Sequence, residues 1–232
     1  MPQPIDLIFT RDFALFMSDF WHALLNGAVA KEFGKGLRSQ IARFTGRSTE
    51  FYRVRAELTA MKEVVIGKAL NHVLFSAERT ARFRKDVDQL RALLHEPIGE
   101  DRFARWQLAM QLFTAMYPMY MLSIFLPNPW RDDFVKCHGK AAEALLERLY
   151  QNRVYSEGLF KETDLYCRML LAPVLERHGI KKSAARLLRF KEAERCLHEG
   201  KLPSQEEFVQ RGKGYVLFHD TLFVKDFATF LK

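Results

Sequence analysis

The chain has 232 residues, 48% of them hydrophobic and 28% charged, with 12 glycines, 8 prolines and a net charge of +8. That composition excludes wholesale disorder, collagen and low complexity, and so few glycines and prolines argue against an all-β chain with a turn every ten residues or so. Cys137, Cys167 and Cys196 are too few for a disulfide framework, and no CxxC pair is present for zinc or redox work.

The opening stretch MPQPIDLIFTRDF has no basic n-region and meets acids early, so it does not read as a secretory signal, and a cytoplasmic protein is expected. Phe9, Phe13, Phe16, Met17, Phe20, Trp21 and Leu24 recur at steps of three and four. This spacing predicts a helix from about Thr10 to Lys31. Gly34 and Gly36 break it, and a short helix over 37–44 is expected to stop near Gly46. Ser48 then reads as the N-cap of a long element. Phe51, Val54, Leu58, Met61 and Val65 form one stripe, which resumes at Phe83, Val87, Leu90 and Leu94 across the polar residues 76–85. We read one long helix from about Ser48 to His95, or two nearly collinear ones, as a bundle spine or a dimer face.

Pro97 and Gly99 end that element. From Trp106 to Trp130 there is no charged residue, and Arg105 and Arg131 flank the run. The length is enough to span a bilayer. Its glutamines, hydroxyl residues and three prolines instead favour a core helix over 102–125, kinked at Pro118, with membrane contact as the alternative.

After the PNPW turn, Phe134, Ala141, Ala142, Leu145 and Leu149 mark further helix. A helix over 159–177 follows, with Leu165, Met169 and Leu175 placed inward and Gly179 as its stop. Residues 180–199 form the next, with Ala184, Leu187, Leu188 and Leu197 inward and Gly200 as its stop. Pro203 and Ser204 start a short helix to about Gln210. Tyr215–Phe218 and Thr221–Val224 flank His219 and Asp220, and read either as a small β-hairpin or as a terminal helix capped by Asp220. The expected fold is all-α: a multi-helix bundle with a long central helix and, at most, a small C-terminal hairpin. It forms one domain, weakly divided into a basic N-terminal region (residues 1–96) and a C-terminal region (residues 97–232).

The positive charge is concentrated. Residues 31–91 hold fourteen bases against seven acids, whereas residues 92–150 hold six against seven. Such a field attracts polyanions. Within it, SQIARFTGRSTEFYRVRAEL (39–58) resembles a helix-turn-helix unit: Ile41 and Ala42 on a first inner face, Gly46 in the turn, Ser48 as cap and Tyr52 packed inward. Arg47, Thr49, Glu50 and Arg53 then face a major groove, where arginine suits guanine edges and glutamate accepts from cytosine. Arg47 and Arg55 depart from the pattern, since such units place apolar residues there.

The leading expectation is therefore a nucleic-acid-binding protein, for DNA or RNA. It would dock through Arg38, Arg43, Arg47, Arg53, Arg55, Lys62 and Lys68, with sequence read by Arg47, Thr49, Glu50 and Arg53. A helical adaptor or complex subunit, with a protein partner or as a homodimer, is the alternative. A second basic stretch, 181–195, reads as an ordinary amphipathic helix.

No Glu-x-x-His, His-Glu-x-x-His, Gly-rich phosphate loop or G-x-S-x-G occurs in the sequence. Asp132 and Asp133 resemble the acidic Mg²⁺ ligands of helical prenyl-transferring enzymes, but lack the further carboxylates those need, and read as charges favouring a helix dipole. No catalytic residue, metal or cofactor is assigned.

Overall fold

The computed structural model describes residues 4–218 and 221–224. The chain runs β1 (Ile5–Arg11), α1 (Leu15–Asn26), α2 (Ala28–Phe33), β2 (Gln40–Phe44), β3 (Thr49–Val54), α3 (Arg55–Ala69), α4 (Ala77–His95) and α5 (Arg102–Phe125). It continues with α6 (Arg131–His138), α7 (Ala141–Tyr155), α8 (Leu159–Arg177), α9 (Phe190–Glu199), α10 (Gln205–Lys213), β4 (Tyr215–Phe218) and β5 (Thr221–Phe223). Short 3₁₀ turns lie at Val73–Phe75 and Lys182–Leu187.

The protein is mainly helical, but it is not all-α. Five antiparallel strands form one sheet in the order β1-β3-β2-β4-β5. The C-terminal hairpin is present, although His219 and Asp220 lie outside the described residues. Its strand β4 pairs with β2, so strands from both ends of the chain share the sheet.

The helix-turn-helix expectation is overturned. Residues 39–58 are a β-hairpin that leads into α3. Register pairs Gln40 with Arg53, Ala42 with Phe51 and Phe44 with Thr49, and these six side chains turn toward the core. Gly46, at φ +87°, takes the turn, where Thr45 N–H donates to the Ser48 carbonyl at 3.0 Å. Phe51, Tyr52 and Val54 are aromatic or β-branched, which suits a pleated strand, and the same residues satisfy a period of two as well as a period near 3.6. Pairing to β1 and β4 decides between the two.

The long helix over 48–95 divides for the same reason. Residues 49–54 are β3, and a break at residues 70–76 separates α3 from α4. There Ser76 caps α4 by accepting from Arg79 N–H at 3.2 Å. Phe51, Met61 and Val65 are buried in the core, so they form no dimer face. The N-terminal helix also starts later than its stripe suggests. Phe9 sits in β1, its ring tilted 4.8 Å from that of Phe51, and Phe13 packs 4.2 Å from Phe160.

The helix α5 stands at the centre, against α2, α4, α7, α8 and α9. It is long and apolar enough to cross a membrane, yet 61% of its most apolar window is buried inside the protein, and it continues through a buried Pro118. Trp106, Phe113, Met116, Tyr117 and Leu122 meet α1 and the sheet in one continuous core. The inner face of α8 differs from its sequence assignment: Leu175 is buried, but Leu165 and Met169 point to solvent at 46% and 56% exposure.

Candidate functional site

The hairpin distributes the basic residues over two faces instead of collecting them. On the outer face, Arg43 reaches Glu50 across the strands at 3.3 Å, and the Tyr52 hydroxyl donates to the same carboxylate at 2.8 Å. Burial, then Glu50, pushes the Tyr52 phenol above its usual range. Arg47 is exposed at the hairpin tip, and its carbonyl accepts from Arg186 at 3.1 Å. Arg186 in turn binds Asp12 at 2.6 Å and lies over the Phe44 ring.

On the inner face, Thr49 is buried and donates to the Phe13 carbonyl at 3.2 Å. Arg53 is 1% exposed, its guanidinium 5.1 Å from the Trp21 ring and 5.4 Å from the Phe125 ring. Burial lowers its pKa to about 10, so it stays charged at neutral pH. A groove-reading role for Thr49 and Arg53 is therefore incompatible with the fold, because neither side chain reaches solvent.

The remaining bases serve as ties between elements. Arg55, the first residue of α3, holds Asp6 of β1 through two nitrogens at 2.9 and 2.6 Å, and this contact keeps the Asp6 carboxyl below its ordinary range. Lys62 joins α3 to α6 through Asp133 at 2.6 Å. Lys68 donates at 3.0 Å to the Phe33 carbonyl at the end of α2.

Arg38 opens onto a groove. With Asn26, Ala30, Lys35 and Glu57 it lines a cleft of about 440 Å³. Lys31, Lys35 and Arg38 are exposed, and no ion pair engages them among the described residues. A larger open groove of about 680 Å³ lies between α8, α9 and α10, lined by His178, Arg195, Lys201, Glu192, Ser204 and Glu207. Among the described residues, no three His, Cys, Asp or Glu side chains gather closely enough to hold a metal ion. Cys167 and Cys196 are buried, and burial raises both thiols.

Two features escaped the sequence reading. One is Lys35, which lines the same cleft as Arg38 beyond the end of α2; the charge run was visible but the shared cleft was not. The other is a set of buried polar groups around Arg53, contributed by Gln40, Trp21 and Tyr117 from three other elements. Comparison of the chain with family models, with curated proteins and with solved structures finds no match.

Proposed function

We propose that this chain is a protein-interaction module, a subunit or adaptor that receives a partner on its α7 and α8 surfaces. The observation supporting this is the outward pair Leu165 and Met169 on α8. They stand one helical turn apart, so they share a face, while the opposite side of α8 is already apolar and packed in the core. On α7, Tyr150 and Val154 repeat the arrangement at 47% and 49% exposure. Apolar side chains at this spacing suit the face of a partner helix.

A photo-crosslinking side chain placed at position 169 or 154 tests the reading. It should trap a discrete species of higher mass in cells, and the same group at the exposed Val73 should not. Equal trapping at all three positions, or none, removes the proposal.

A second reading keeps the nucleic-acid expectation but moves its surface. Lys31, Lys35 and Arg38 are the exposed cations that favour it, in place of Arg43, Arg53 and Arg55. Binding of a labelled oligonucleotide should weaken with salt and fall further on Lys35→Glu and Arg38→Glu. Affinity that neither salt nor these changes moves would exclude it.

A further inference from the structure

The inner face of the sheet holds buried polar groups that have no hydrogen-bond partner among the described residues. Arg53 and Gln40 face each other across β3 and β2, so their side chains leave the sheet on the same side. Both are 1% exposed. All three guanidinium nitrogens of Arg53 and both amide atoms of Gln40 are buried and make no hydrogen bond among the described residues. The Tyr117 hydroxyl of α5 and the indole N–H of Trp21 on α1 are in the same condition. Trp21 and Phe125 present ring faces to the guanidinium, and Tyr117 lies close enough to feel its charge.

Ring faces attract a cation but occupy none of its N–H groups. Buried polar groups are normally satisfied by protein, water or an ion, and a buried charge is normally paired. The chemistry here is lopsided. Arginine brings five N–H donors, glutamine two, and tyrosine and tryptophan one each, against two acceptors, Gln40 Oε1 and Tyr117 Oη. Water supplies donors that the site does not lack and no charge. A small anion supplies acceptors only, together with the missing negative charge.

We propose that this niche binds one small monovalent anion, a halide or a carboxylate no larger than formate. Arg53 is its counter-charge, and Gln40, Tyr117 and Trp21 supply further donors. The bound anion ties β2 and β3 to α1 and α5, because its donors come from all four.

The test is thermal unfolding of the full chain at constant ionic strength, with gluconate replaced stepwise by chloride, bromide or formate. The unfolding midpoint should rise with the logarithm of anion concentration above the dissociation constant, by roughly 5 °C at about 100 times that constant. Arg53→Met should abolish the rise, and Arg38→Met, on the surface, should retain it. Crystals grown in bromide should show an anomalous peak within hydrogen-bonding reach of the Arg53 nitrogens, which decides the matter on the unaltered chain if Arg53→Met does not fold. No rise in midpoint with any of these anions, a rise that survives Arg53→Met, or density for water alone beside Arg53 overturns the proposal.

Discussion

Arg53 and Arg211 are both buried guanidinium groups, at 1% and 5% exposure, and the fold treats them in opposite ways. Arg211 on α10 donates to Glu192 at 2.6 and 3.0 Å, to Glu207 at 3.1 Å and to the Leu187 carbonyl at 3.0 Å. Arg53 has two aromatic rings and no acceptor among the described residues. The difference follows from the elements that carry them. On a helix, a carboxylate one turn away is in reach, as Glu207 is, and a neighbouring helix adds another. On a central strand, register fixes the neighbours, and here register puts Gln40 beside Arg53 while helices above supply rings.

The contrast can be broken most severely at Arg211. Arg211→Met leaves Glu192 half of a broken buried pair, and a loss of about 3 kcal/mol in urea unfolding is expected. A cost no larger than that of a surface change would mean that the acids around Arg211 matter no more than the rings around Arg53.

Asp164 sharpens the comparison from the acidic side. Its carboxylate binds Arg168 and accepts from Ala14 N–H at 3.2 Å, yet burial outweighs these and raises its pKa from 3.8 to about 6. The folded chain therefore keeps a proton that the unfolded chain has released between those values. Stability from this group is fully present below pH 3.8, falls as pH rises toward about 6, and stays level above it, for a total of about 3 kcal/mol. Asp164→Asn keeps an acceptor for Ala14 and should flatten that stretch of the stability profile measured from pH 4 to 7. A slope that persists in the variant assigns the pH dependence to another group.

Smaller effects are expected where charges are paired near solvent. Arg43→Gln removes the cross-strand contact with Glu50 and should cost about 1 kcal/mol or less in the same assay. Arg47→Ala, at the exposed hairpin tip, should stay within about 0.5 kcal/mol. If Arg47→Ala costs more than Arg43→Gln, the tip is held by contacts beyond its carbonyl bond to Arg186.

The candidate surfaces were only partly legible beforehand. The charge excess over 31–91 was plain, but a count of arginines carries no information on which are already bound. Arg55 meets Asp6 and Arg186 meets Asp12 across long sequence separations, and only folding brings those acids near. Leu165 and Met169 were expected inward because they are apolar, whereas α8 has more apolar residues than one buried face can take. Its true inner face runs through Phe160, Cys167, Leu170, Leu171 and Val174.

Local chemistry alone determined the helices whose signals are short-range. The boundaries of α5 and α8 follow the apolar period, and the stop at Gly200 follows from its left-handed φ of 69°. The two C-terminal β-rich runs left a hairpin and a capped helix equally open, and pairing of β4 with β2 and β5 decided for the hairpin. Tertiary structure decided the rest. Residues 40–54 fit helical and strand spacing alike, and their state was settled by partners at 5–11 and 215–218, beyond the reach of any local pattern. The same pairing turned Arg53 inward, because a strand sends alternate side chains to opposite faces and β3 had Phe51 to bury.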